Sequence, residues 1–323
     1  LASKDSNESI ELSTGNKLLS STDITEEEIN VLDCPTTHAN FRSMYARIME
    51  NGSESWKALA LLNEMKATLT GFDFRIRLNA DKLPIGIVWM TFTMRQRLLQ
   101  FGDVLFLDAQ KRQYNKICWP YIGPTIKTSE NTNRVIAESV VITEDISTYE
   151  WILRSIAEME PKWELNKIRI IFADGLITES LLQALDIGKI CTLRCDYWHL
   201  MTEVFPKDHN FGIVCFESSK NYLRKMLLSD TKDEWDNAYN KCKDILRDYP
   251  RKLEKLKEIY DRPSYYAGYY VRSINGNLLL LGNSAAESNH SSITSHLGSG
   301  GVWTISHQIS KLMERQQYFL NLD

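Results

Sequence analysis

Three acids carry the candidate chemistry of this chain. Asp108 ends the apolar run Val104-Leu105-Phe106-Leu107 within GDVLFLDAQK, and Asp174 ends a second such run, IRIIFAD. A continuous apolar run of this length suits a strand buried on both faces. A carboxylate at the end of such a strand is poorly hydrated, so it needs a partner, a proton or a metal ion. Glu287 lies in the helix-start pattern SAAESNH, after a strand-like stretch at 277–281. Hard divalent cations such as Mg2+ or Mn2+ take carboxylate oxygens and keep open water positions. Two such ions about 3.5–4 Å apart clamp the attacking and leaving oxygens of an in-line phosphoryl displacement. Two of these acids also have a plainer reading. Asp108 can cap a turn or pair with a lysine, and Ser284-x-x-Glu287 is itself a capping-box pattern.

Several neighbours could serve the same chemistry. Lys111, Arg112 and Lys116 follow Asp108 and are placed to meet phosphates, or they form an ordinary solvated charge cluster. Asn289 and His290 follow Glu287; His290 is three residues on, near the same helix face. It is placed to contact a scissile phosphate or to sit in solvent. Cys191, Cys195 and His199 form C-x3-C-x3-H, three donors where a structural zinc site takes four. The competing readings make Cys195, Trp198 and His199 satisfied core residues, or residues that steer nucleic acid near the acids. Tyr265, Tyr266, Tyr269 and Tyr270 can stack on unpaired bases, or pack a helical insertion onto the core. Gly175, just after the second aspartate, allows a close backbone approach or a simple turn.

The elements that must position these residues read as an α/β chain. Residues 1–33 are a flexible acidic lead-in. Residues 34–101 form an N-terminal helical and strand region: a helical hairpin over 40–70, strands over 72–78 and 84–89, and a helix over 93–101. Residues 102–215 hold the first part of the core. Beyond the Asp108 strand, further strands are predicted over 119–125 and 134–143, with a polar turn at 127–133. A helix over 148–159 is capped by Asp145 or Ser147. The Asp174 strand, a helix over 178–185 and a strand over 189–193 complete this part. Residues 216–262 are a charged helical insertion, and 263–323 complete the core with the Glu287 helix and an amphipathic helix over 303–320.

Bulk properties narrow the classes. The chain has 323 residues, 43% hydrophobic and 25% charged, with a net charge of −4. This excludes a globally basic surface but not a local basic face. No apolar run approaches the ~18 residues that span a membrane. Six scattered cysteines fit reduced thiols better than a disulfide framework.

Taken in order, GDVLFLDAQK, AESVVITEDISTYEWIL, IIFADG, RCDYWHL and AAESNHSSI resemble the Mutator-like element (MULE) transposase domain. The resemblance spans residues 84–313. It implies a ribonuclease-H-like mixed sheet flanked by helices, with an all-α insertion between the second aspartate and the glutamate. It implies that Asp108, Asp174 and Glu287 are the catalytic triad and hold two Mg2+ (or Mn2+) ions. The implied activity is cleavage of DNA at transposon ends, then strand transfer by 3′-hydroxyl attack. The implied partners are terminal-repeat and target DNA and a second copy of the chain, with no membrane, in the nucleus. Spacing alone supports only metal-dependent phosphoryl transfer. In one departure, Cys195 and His199 are separated by three residues, where the family usually has Cys-x-x-His. The alternatives are a catalytically silent, domesticated or decayed derivative that binds DNA or protein, and a nuclease of the same fold.

Overall fold

The computed structural model describes residues 53–110, 114–173, 179–195, 213–270, 284–298 and 303–320. It opens with helix α1 (Glu54–Thr68), the second arm of the predicted hairpin; the first arm lies outside the described residues. Strands β1 (Asp73–Leu78) and β2 (Pro84–Met90) then pair antiparallel. Helix α2 (Phe92–Phe101) starts where Thr91 can cap it, its hydroxyl accepting from the Met94 amide at 3.3 Å.

The next three strands each turn a corner. The first is β3 (Val104–Leu107) then β4 (Ala109–Gln110). The second is β5 (Tyr121–Ile122) then β6 (Thr125–Lys127), and the third is β7 (Asn133–Val135) then β8 (Glu138–Val141). One sheet has the order β1-β2-β8-β5-β4 and is antiparallel throughout. The other contains β3, β6 and β7. Asp108 is therefore the residue at the first crossing, Gly123-Pro124 lies at the second and Ile136-Ala137 at the third. Pro124 has no N–H to give a ladder, which suits a break between sheets. Its carbonyl accepts from the Ile136 amide at 2.9 Å, tying the second crossing to the third. At Gly123 a Cβ would lie 2.2 Å from the Tyr121 hydroxyl, so a larger residue there would have to displace that buried ring.

Two parallel strands extend the second sheet. β9 (Ile170–Ala173) pairs with β3, and β10 (Thr192–Cys195) pairs with β9, giving the order β10-β9-β3-β6-β7. Strand β10 begins later than periodicity predicts, because the Cys191 amide turns back to the Ile187 carbonyl at 2.9 Å. Helix α3 (Ile146–Met159) precedes β9, and the short α4 (Glu179–Ala184) follows it. Asp145 is the cap of α3; its carboxylate accepts from the Thr148 amide at 2.7 Å. Leu105, Leu107, Ile171 and Leu193 pack with Ile152, Leu153 and Ile156 of α3 in the largest core. Val104, Phe106, Ile170 and Phe172 form a second layer, with the two phenyl rings stacked at 5.0 Å.

The predicted helical insertion comprises α5 (Ile213–Leu228), α6 (Lys232–Ile245) and α7 (Pro250–Tyr260), followed by the short α8 (Pro263–Tyr266). It has a core of its own, including Leu223, Met226, Trp235, Cys242, Leu246, Leu256 and Ile259. Arg194 on β10 docks it. Its buried guanidinium donates to the carbonyls of Tyr266 and Ala267, both at 2.9 Å. Burial lowers its pKa to about 10, so it keeps its charge at neutral pH. Helix α9 (Ser284–Leu297) lies against β3, β6 and β7, and α10 (Ile305–Leu320) packs on α1 and α9. The chain is thus mixed α/β, with two sheets flanked by helices. Among the described residues no helix is long and apolar enough to cross a membrane.

Candidate functional site

Asp108 sits where β3 leaves one sheet and β4 joins the other, with only 7% of its surface exposed. One carboxylate oxygen, Oδ2, lies 3.5 Å from Nδ1 of His290, a buried residue of α9. This contact brings α9 to the end of β3. Glu287 belongs to the same helix by its backbone, one turn before His290; its side chain lies outside the described residues. Residues three apart on a helix share a face. On the neighbouring strand Ala173 is in register with Leu107, the residue before Asp108. Asp174, next after Ala173 in the sequence, lies outside the described residues.

Two polar clusters fix α9 over the strands. In the first, the Tyr114 hydroxyl meets Thr294 Oγ1 at 2.8 Å and accepts from Gln110 Nε2 at 2.6 Å. Gln110 lies on β4, two residues past Asp108, and Thr294 Oγ1 also donates to the His290 carbonyl at 2.8 Å. In the second, Arg315 of α10 donates from Nη2 to Asn289 Oδ1 and from Nε to Ser292 Oγ at 3.2 Å. Arg315 Nη1 is 3.6 Å from Oε1 of Glu138, which also accepts from Gln316 Nε2 at 2.9 Å. Glu138, Asn289, Arg315 and Gln316 are all buried. Burial pushes the Glu138 carboxyl up to about 7, against the opposing pull of Arg315, Gln316 and Trp89. Burial, and next the charge on Glu138, push the Tyr121 phenol well above its ordinary value. Such a network contributes little net stability, because desolvating its charges offsets their attraction. What it supplies is a fixed geometry for the helix.

The remaining predicted residues separate clearly. Lys111, Arg112, Gly175, Trp198 and His199 lie outside the described residues. Lys116 is exposed, and its amide donates to the Trp303 carbonyl at 2.9 Å. Beside it, buried Asn115 donates to Gln308 Oε1 at 2.9 Å, stitching this loop to α10. Asn289 is buried, and its Oδ1 accepts from Arg315. His290 is also buried, beside Asp108. Cys191 is a buried core thiol, and burial pushes its pKa up to about 12. Cys195 is half-buried between the main core and that of the insertion. Tyr265 is buried in the main core, and Tyr266 and Tyr269 pack against the core of the insertion, so the packing reading of these three holds.

Among the described residues no three His, Cys, Asp or Glu side chains gather as a metal site; the acid–imidazole pair of Asp108 and His290 is what is present. The sequence reading overlooked the roles of Glu138, Arg315 and Gln316. The available signal was an acid set inside the apolar run of β8. Comparison of the chain with known protein families and with curated proteins finds no match.

Proposed function

We propose that this chain is the catalytic core of a DNA transposase with a ribonuclease-H-like fold, acting through Asp108, Asp174 and Glu287. The observation that carries the reading is the Asp108–His290 contact, because it draws the Glu287-bearing helix to the strand end that bears Asp108. The in-register pairing of Leu107 with Ala173 supports it, since an aspartate follows each of these residues in the sequence. A mixed sheet with Asp108 at the end of its central strand, flanked by helices and followed by a helical insertion, also fits.

The three acids would hold two Mg2+ or Mn2+ ions. The Asp108 carboxylate fits a hard cation: it offers oxygen donors in a mostly buried setting, where an unneutralised charge is costly. Bound cations neutralise charge developing on a phosphodiester and lower the pKa of a bound water. The chain's own contribution is to hold the Asp108 carboxylate at the end of β3, beside α9, and to keep bulk water from it. The reaction is hydrolysis of a phosphodiester at an element end, then attack of the freed 3′-hydroxyl on target DNA. Purified protein with Mg2+ or Mn2+ is expected to nick a terminal-repeat duplex, and Asp108→Asn is expected to abolish the nick. Equal cleavage by the two proteins would overturn the reading.

A second reading is a silent derivative that binds DNA without cutting. It is favoured by the same contact, since His290 gives Asp108 a cationic partner when the imidazole is protonated. Retained DNA binding with no Mn2+ uptake would select it.

A further inference from the structure

We propose that His290 is a nitrogen ligand of the Asp108 cation site and sets its preference for Mn2+ over Mg2+. The inference rests on the cation-site reading above and adds to it a residue that the acid triad does not include.

Geometry comes first. Nδ1 of His290 and Oδ2 of Asp108 are 3.5 Å apart. This is longer than a good N–H···O hydrogen bond, about 2.7–3.2 Å. It matches the spacing of two donors on one ion. With metal–ligand bonds of about 2.0–2.2 Å, neighbouring donors stand about 3.0–3.5 Å apart. Both side chains are about nine-tenths buried, so a cation between them would be largely shielded from bulk water.

The ring is also pre-positioned. The residue before it, Asn289, is pinned by Arg315. The carbonyl of His290 itself accepts from Thr294, which is tied in turn to Tyr114 and Gln110. The Tyr121 ring meets the imidazole edge-on, with centroids 6.5 Å apart. A ligand held in this way binds with little ordering cost.

Chemistry then names the ion. Mg2+ prefers an all-oxygen octahedron and keeps several waters, whereas imidazole suits later first-row divalent ions, for which affinity rises from Mn2+ onward. Adding one nitrogen donor to an otherwise carboxylate site therefore favours Mn2+ over Mg2+.

The test uses the full chain with Mn2+ as the probe. Electron spin echo measurements on the Mn2+-loaded wild type are expected to show coupling to an imidazole nitrogen, and His290→Gln is expected to lose it. Titration should show Mn2+ affinity falling about tenfold in His290→Gln, with Mg2+ affinity changed less than about twofold. Thermal unfolding of the variant checks its fold, and the wild-type spectrum needs no variant. Absence of nitrogen coupling in the wild type, or its persistence in His290→Gln, overturns the inference. Asp108→Asn separates the two layers. If it abolishes Mn2+ binding while the wild type lacks nitrogen coupling, the cation site stands and the role of His290 falls. If the wild type binds no Mn2+, or Asp108→Asn leaves binding unchanged, the cation site falls and this inference with it.

Discussion

Glu138 is fully buried, and its raised pKa has a definite sign. Burial moves the carboxyl from an ordinary 4.5 up to about 7, so between these values the folded chain holds a proton that the unfolded chain has lost. Its contribution to stability is therefore complete below about pH 4.5 and is lost as pH rises through about 7. The size is at most about 3 kcal/mol, since one pKa unit is worth about 1.4 kcal/mol. Urea unfolding is expected to show stability falling from about pH 5 to 8, with Glu138→Gln flattening that slope; an equal slope in the variant would refute it. Asp145 runs the other way. Burial raises its pKa, but hydrogen bonds from Ser147, Thr148 and Thr143 outweigh it and hold the carboxyl near 2. Its contribution is lost only as pH falls towards 2, well outside the Glu138 window. The cap was legible because it is local, with its partners within three residues. The environment of Glu138 was not, because Gln316 is 178 residues away and nothing nearby announces it.

Among the elements, the joint between β10 and α8 depends on Arg194. Arg194→Met keeps the apolar stem but leaves the carbonyls of Tyr266 and Ala267 without their donor, at about 1–3 kcal/mol for each group that stays buried. Hydrogen exchange is expected to speed up across 213–266 while β3 and β9 keep their protection. Unchanged exchange in the helices would show that Arg194 does not dock them. Most of the predicted elements were legible as runs: β1, β2, α2, α3 and α10 lie within a few residues of their predicted positions. The strands predicted over 119–125 and 134–143 each divide in two. Burial continues unbroken through the corners, so apolar periodicity does not register the change of sheet. Gly123-Pro124 is a sequence sign of the second crossing; Ile136-Ala137 looks like uninterrupted strand.

For the whole molecule, the insertion buries its own apolar residues apart from those of the sheets. Trp235, stacked near Tyr260 at a centroid distance of 6.1 Å, lies at its centre. Trp235→Ala is expected to cost about 3–5 kcal/mol, felt first in the helices. Denaturant titration should then show an early transition in helical signal ahead of the loss of the sheet core, and a single shared transition would refute separate cores. The insertion was legible as a long charged helical stretch without strand signals. Which strand it docks on was not, because the docking residue is a buried arginine, and a sequence reading assigns arginine to solvent.

The corner has a consequence for how such a chain can vary over generations. Phe106, Thr125 and Val135 are in register across β3, β6 and β7, and each strand changes sheet within a few residues of that row. One added or deleted residue at any crossing would slide its strand against two neighbours and carry Asp108 away from α9. Gains and losses of sequence are therefore expected in the 128–132 turn, with none between Phe106 and Gln110, Ile122 and Thr125, or Val135 and Glu138. At this corner, selection acts on the number of residues more than on their kind.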